Sequence, residues 1–227
     1  MRALITGSSG IIGRVLISGL TWDKTPFDLP ADDVRQYDRL VTSFAGHDAV
    51  IHLAWDTQSD NYRADFHHPD NALQVVNVYR AAVEAGVRRV IMASSVHADK
   101  FTDRAIDGLL DPYALPVPDS PYGAGKCFME ALGRYYADSK DLEVVCLRFG
   151  GVNSGNEVPD GSNSERHVWL SHADCVQLVQ KCLDADSIPG NYAIIYGVSN
   201  NADRIHDYKN PVGWMPRDGA GTPIRRS

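Results

Sequence analysis

The stretch that decides the fold is Arg2-Ala-Leu-Ile-Thr-Gly-Ser-Ser-Gly-Ile-Ile-Gly13, an apolar run that passes directly into GSSGIIG at residues 7–13. The run 2–6 reads as a buried strand. Residues 11–20 read as a helix entered through the glycines. Gly7 allows the tight turn, Gly10 lets backbone approach a pyrophosphate, and Gly13 permits close packing of helix on strand. Ser9, Ile11 and Ile12 fill out the loop and the first helical turn. Phosphates would sit on the helix N-terminus, where unpaired N–H groups and the dipole favour anions. Strand, glycine loop and helix in this order predict a dinucleotide cradle.

Outward from that loop, strand and helix alternate. Residues 32–44 carry apolar side chains at Val34, Tyr37, Leu40, Val41 and Phe44, the three-and-four spacing of one helical face. AVIHLA (49–54) reads as a buried parallel strand. Residues 71–85 are helical up to Gly86, and RVIMAS (89–94) is the next strand. Ser120-Pro121 opens a long helix over 120–139. EVVCLRF (143–149) is a strand, with a helix over 176–185 and a strand over 192–196 behind it. Repeated βα units predict an α/β fold: a Rossmann-like doubly wound parallel sheet with helices on both faces. Residues 1–150 form the dinucleotide-binding domain. Residues 151–227 are a small substrate-binding portion packed on it as one unit. The polar stretches 56–70, 99–119 and 153–166 are long loops, the segments that carry function in such architectures.

One part is short. An acidic residue that holds the ribose usually lies about twenty residues beyond the glycines. Here only LTWDKTPFDLP (20–30) separates the first helix from the helical pattern at 32–44. That leaves room for one short strand around 26–29 and predicts the loss of a strand at the sheet edge. Asp28, followed by Leu29, is the best remaining acid, with Asp32 and Asp33 behind it. Asp28 is a candidate ribose or adenine contact; a surface or helix-capping role is the alternative for each of the three.

Composition excludes several classes. The 227 residues, 44% hydrophobic, can bury a core without disulfides or metals. Cys127, Cys146, Cys175 and Cys182 form no CxxC pair, which predicts a reduced, cytoplasmic setting. Met1 leads straight into the first strand, with no basic leader for a signal peptide, and no run is long enough to span a bilayer. A net charge of −7 without a basic cluster argues against nucleic acid; Arg225-Arg226 reads as a solvated end. His67 and His68 are adjacent, have no third ligand at proper spacing, and read as loop histidines rather than a metal site.

The chemistry lies further along. Tyr122 and Lys126 in SPYGAGKCFME are four apart near a helix start and share a face. Ser95 closes the strand RVIMASS, where a parallel sheet presents residues to the cofactor crevice. Tyrosine, lysine one turn later and a strand-end serine make a hydride-transfer site. The ammonium is expected to draw the phenol pKa down towards working pH.

At these residues the chain resembles the extended short-chain dehydrogenase/reductase family, also called the NAD-dependent epimerase/dehydratase family. The matching segments are TGSSGIIG (6–13), DAVIHLA (48–54), NALQVVNVYRAAVEAGVRRVIMASS (71–95) and SPYGAGK (120–126). The resemblance implies Ser95 as catalytic serine, Tyr122 as acid/base, and Lys126 as its activator and nicotinamide-ribose ligand. Leu53, Ala54 and the adjoining Trp55 would line the cofactor. Asn71, which opens the next helix, is either a cofactor contact or a simple cap. The implied cofactor is NAD, with NADP left open, since no arginine follows Asp28 closely enough to clamp a 2′-phosphate. A homodimer through the helices at 71–85 and 120–139 is also implied.

Within the family the chain is most similar to short uronate dehydrogenases, in SSVH (94–97), RFGGVN (148–153), ERHVWLSHAD (165–174) and YGVSNN…GWMPRD (196–218). Thr57 and His97 would then touch a sugar substrate, alongside Ser95, Val96 and Tyr122. Arg166 would bind a carboxylate through its planar fork. Val96 stands where that subgroup tends to have an asparagine. The expected activity is NAD-dependent oxidation of a sugar or sugar acid. The alternatives are a nucleotide-sugar epimerase or dehydratase, or a non-catalytic dinucleotide-fold binding or sensor protein.

Overall fold

The computed structural model describes residues 1–99, 108–160 and 164–221. Arg225-Arg226 lies outside them. The architecture is a six-stranded, wholly parallel sheet in the order β2-β1-β3-β4-β5-β6. The strands are β1 (Arg2–Thr6), β2 (Asp23–Phe27), β3 (Ala49–His52), β4 (Arg89–Ser95), β5 (Glu143–Phe149) and β6 (Tyr192–Gly197). The helices are α1 (Ile11–Gly19), α2 (Tyr37–Phe44), α3 (Pro69–Glu84), α4 (Pro121–Lys140) and α5 (His172–Asp184).

Alternation along each strand sorts the core into two layers, because successive side chains leave opposite faces of a sheet. Ile5, Ile51, Ile91, Val145 and Ile195 face α1 and α5, where they meet Leu16, Leu178 and Val179. Leu4, Val50, Val90, Val144 and Ile194 face the other way, onto Phe44, Val78, Tyr79 and Met129 of α2, α3 and α4. Strands covered on both faces have no polar side to show, which explains why AVIHLA (49–54) reads as an apolar run; in β5 the two charged side chains, Glu143 and Arg148, are ion-paired with Arg89 and Glu130.

Among the described residues no strand lies outside β2, as the short 20–30 segment predicts. β2 sits at 23–27 rather than 26–29, paired with the whole of β1, with Pro26 opposite Ile5. Proline has no N–H for a ladder, so it suits an edge strand and blunts it against further pairing.

Two helices differ from their predicted extents. The helix expected over 32–44 begins only at Tyr37. Residues 32–36 form turns instead, held by Asp32 N–H on Asp28 O (3.0 Å) and by Arg35 and Arg39 on Asp33 and Asp32. Val34 still reaches the core, so its apolar character mimicked helical periodicity. The helix expected from 176 starts at His172, because Ser171 caps it by accepting from Asp174 N–H at 3.0 Å. No helix among the described residues is long and apolar enough to cross a membrane.

Candidate active site

The carboxyl ends of β1, β3 and β4 open onto a cleft of about 800 Å³, the position where open parallel sheets bind ligands. The glycine loop forms its floor. Gly7 has φ +67°, and a Cβ there would lie 2.7 Å from Ala54 N. A Cβ on Gly13 would lie 2.4 Å from Gly7 O, so only glycine lets α1 close on the loop. Gly10 caps α1 without a side chain, and a Cβ there would approach only Gly7 O, at 3.3 Å. The loop therefore presents bare backbone and a helix N-terminus, a shape that fits the pyrophosphate of a dinucleotide.

Asp28, just past β2, closes the outer side. Its Oδ2 accepts from Ser9 N–H at 2.8 Å and from Ser9 Oγ–H at 2.5 Å, and Oδ1 accepts from Leu29 N–H. The expected ribose acid is thus tied to the glycine loop and still faces the cleft. Ser9, Ile11, Ile12, Leu29 and residues 53–55 line the same cleft, as does Thr57. Asn71 is fully buried elsewhere: its Oδ1 accepts from Asp56 N–H at 2.9 Å and its Nδ2 donates to Asp60 at 2.8 Å. It anchors the loop after β3. A second hollow of about 810 Å³ lies between α1 and α5. It contains none of Gly7, Gly10 and Gly13, nor Ala93 and Trp55, which line the first cleft and touch Lys126, and the site is therefore placed in the first.

Behind Ala93 and Trp55, which line the cleft, the chain brings Ser95, Tyr122 and Lys126 together. Ser95 ends β4 and is buried; its Oγ accepts from His97 N–H at 3.2 Å. Tyr122 stands in the first turn of α4, whose start is capped by Ser120. Gly123 lets that turn press onto the short 3-10 turn Val96–Ala98: a Cβ there would lie 2.2 Å from His97 O. Lys126 follows one turn later, 3% exposed, donating to Ala93 O at 2.9 Å. Trp55 and His97 flank the Tyr122 ring edge-on, at 5.9 and 5.8 Å between centroids.

The electrostatics differ from the expectation that Lys126 draws the Tyr122 pKa down. Burial pushes the Tyr122 phenol up to about 12, while a hydrogen bond with Ser95 pulls the other way. Burial pulls Lys126 down to about 7, opposed by the Asp60 and Glu130 carboxylates. Desolvation outweighs the pairwise attraction that the spacing alone suggests.

Motif reading did not find the groups that organise the loop between β3 and α3. Asp60, fully buried, accepts from His68 N–H at 3.1 Å and from Asn71, and its Oδ2 lies 2.9 Å from His67 Nδ1. His68 in turn caps α3 by accepting from Asp70 N–H. The Tyr62 ring stacks on His97, and its hydroxyl donates to Glu165 at 2.7 Å. His97 Nδ1 lies 2.8 Å from Asp119 Oδ2. Asn77 also escaped notice: buried in α3, it donates to Arg35 O at 3.0 Å and supports the outer rim of the cleft. The only sequence signal for the loop residues was the length of the polar stretch 56–70. Of the other expected substrate contacts, Val96 is 2% exposed and packs in an apolar cluster with Leu110 and Tyr196. Arg166 lies in the 3-10 turn Ser164–Val168, its Nη1 donating to Pro159 O at 3.4 Å.

A glycine-floored cleft with serine, tyrosine and lysine packed behind its wall at Trp55 and Ala93 defines the class of dinucleotide-dependent enzymes of the extended short-chain type. Residues 3–185 match the NAD dependent epimerase/dehydratase family, and the chain belongs to that family. It is 34% identical to an L-arabinose 1-dehydrogenase (NAD(P)(+)) of Haloferax volcanii, over 98% of this chain and 99% of that one. It is 30% identical to a uronate dehydrogenase of Pseudomonas putida, over 97% of this chain and 85% of that one. The fold is shared with the crystal structure of uronate dehydrogenase from Agrobacterium tumefaciens, at a TM-score of 0.75 and 24% identity, covering 96% of this chain and 85% of that one.

Proposed function

We propose that the protein is an NAD-dependent dehydrogenase that oxidises the anomeric carbon of a sugar or sugar acid to a lactone. The observation that carries this reading is the convergence of Ser95, Tyr122 and Lys126 beside the glycine-floored cleft, against its wall residues Trp55 and Ala93. The relatives named above act on sugars and sugar acids, and a variant of the Agrobacterium uronate dehydrogenase has been crystallised with NAD.

The glycine loop and Asp28 would hold the adenosine and pyrophosphate half of NAD, and Lys126 the nicotinamide ribose. NAD, when bound, supplies the acceptor for the hydride that leaves the sugar carbon. Tyr122, as tyrosinate, takes the hydroxyl proton in the same step. Ser95 holds the substrate oxygen as it changes from hydroxyl to carbonyl, and its hydrogen bond to Tyr122 favours the ionised phenol. Lys126 in its charged form stabilises that tyrosinate. Thr57, His97 and Arg166 are the candidate substrate contacts.

The reading includes a cytoplasmic homodimer. The free cysteines support the first part. Leu73 on α3 and Phe128 and Tyr135 on α4, all exposed apolar side chains, support a bundle of two helices from each copy. The test is production of NADH from a panel of aldoses and uronates, with sedimentation to weigh the particle. Tightly held cofactor with no net NADH would instead mark an epimerase or dehydratase.

A further inference from the structure

A carboxylate lies buried behind the cleft wall. Asp60, fully shielded from solvent, accepts through Oδ2 from His68 N–H at 3.1 Å and from Asn71 Nδ2–H at 2.8 Å, and the same oxygen lies 2.9 Å from His67 Nδ1. Its Oδ1 is buried with no hydrogen-bond partner. A charge taken out of water in this way is costly unless an opposite charge offsets it. Among the described residues no arginine or lysine pairs with Asp60 at ion-pair distance, and His67 offsets it only when protonated. The neighbouring Arg63 rests over the Tyr62 ring, 5.1 Å from its centre, on an exposed residue.

His67 carries the loop onto α4. A Cβ at Gly125 would lie 2.5 Å from His67 Cε1, so the ring rests on the helix backbone one residue before Lys126. Trp55 neighbours both groups: its ring centre is 5.9 Å from that of His67 and 3.5 Å from Lys126 Nζ. Two carboxylates act on Lys126 against its burial, Asp60 and then Glu130. Glu130, on α4, is committed to Arg148, held at 2.8 Å through each oxygen, and it accepts from Ser94 Oγ–H as well. The other titratable neighbours supply no counter-charge. His52 on β3 is pulled down to about 3 by burial, and burial pushes Tyr122 up to about 12.

We propose that Asp60 is a positioning residue of the active site: braced by His67 against α4, its carboxylate is the counter-charge that holds Lys126 as an ammonium over Trp55. This rests on the reading of Lys126 as the partner of Tyr122 and the nicotinamide ribose, and adds the group that keeps it charged. Without Asp60, Lys126 keeps its desolvation and loses its uncommitted counter-ion, so the ammonium gives up its proton more readily. The attraction exists only while Lys126 is protonated. It therefore stabilises the fold below the Lys126 value of about 7 and is lost as pH rises through it.

NMR of protein labelled at the lysine Cε reads the titration of Lys126 directly, its signal being the one missing from Lys126→Met. Asp60→Asn should lower the proton affinity of Lys126 about 10-fold or more. His67→Gln keeps a polar donor beside Asp60 without an ionisable ring, and should leave that affinity within about 3-fold. Melts of wild type, Asp60→Asn, Lys126→Met and the double variant give a second readout. Near pH 6, Asp60→Asn should cost about 2–4 °C more Tm in the wild-type background than in the Lys126→Met background. Near pH 9 that difference should vanish, because Lys126 is then neutral. An unmoved Lys126 in Asp60→Asn overturns the proposal, as does a coupling equal at both pH values, which packing alone would give. A 10-fold change in His67→Gln assigns the charge balance to the imidazole and overturns it even if Asp60→Asn does not fold. NADH production from the sugar panel is read separately. A shifted Lys126 with no NADH from any aldose or uronate supports the counter-charge and overturns the dehydrogenase reading.

Discussion

The Lys126 ammonium lies 3.5 Å from the centre of the Trp55 ring, a cation–π contact formed between α4 and the segment that follows β3. It joins the residue proposed to hold the nicotinamide ribose to the residue that lines the cleft beside it. The Trp55 Nε1–H is buried without a partner, so the indole is held by this contact and by packing against Tyr122 and His67. A dinucleotide whose ribose engages Lys126 must share or displace that contact. NAD is therefore expected to change tryptophan emission on binding, and Trp55→Phe should abolish most of the change while Trp22, Trp169 and Trp214 remain. An unaltered signal in Trp55→Phe would sink this arrangement.

Lys126 also makes a stability prediction. Its folded pKa of about 7 lies below its ordinary 10.5, so between those values the unfolded chain binds a proton that the folded chain does not. Stability from this group therefore rises with pH across that window and falls as pH drops towards 7. Lys126→Met should remove this slope and raise Tm near neutral pH by about 2–4 °C, the shift that roughly 1 kcal/mol gives a chain of this size. The same variant should lose turnover. Calorimetric melts of both proteins at several pH values decide it.

With Tyr122 pushed up to about 12 by burial, the ionised phenol is scarce at neutral pH, so sugar oxidation should accelerate as pH rises. Ser95→Ala removes the hydrogen bond that opposes burial and should displace the kcat/KM profile further towards alkaline pH. Tyr122→Phe should lower kcat by about 10²- to 10⁴-fold while NAD still binds. Retained turnover in that variant would remove Tyr122 from the mechanism.

Asp28 accepts two hydrogen bonds from Ser9 and so couples the end of β2 to the glycine loop. Asp28→Ala should free the loop and forfeit a ribose contact together. NAD affinity should fall by about 10-fold or more, the equivalent of roughly 1.4 kcal/mol, with little change in the pH profile. Titration of NAD into both proteins gives the answer, and an unchanged Kd would place the adenosine elsewhere.

Much of this was present in the chain as local chemistry. The 2–13 stretch specifies strand, tight turn and helix because only glycine tolerates φ +67° at residue 7 and backbone contact at residue 13. The 143–149 run specifies a strand buried on both faces. The spacing of Tyr122 and Lys126 puts them on one face of any helix, and a strand-end serine falls at the crevice of any parallel sheet. The missing outer strand was legible as well, because eleven residues at 20–30 leave room for no more than β2.

Tertiary structure alone decided the rest. Val34 supplied an apolar period that belonged to a turn, and Ser171 moved the start of α5, since caps and turns depend on which side chain reaches which N–H. Trp55, Asp60, Tyr62 and Glu165 share no spacing rule, yet they meet around His97 and Lys126 because separate loops converge above the sheet. Burial is likewise a property of the assembled fold. It is what pulled Lys126 down and pushed Tyr122 up, against the attraction their spacing implied. The sequence by itself determined which groups carry the chemistry, through backbone sterics and short-range periodicity; only the fold, by removing water and joining distant loops, determined their charge and their neighbours.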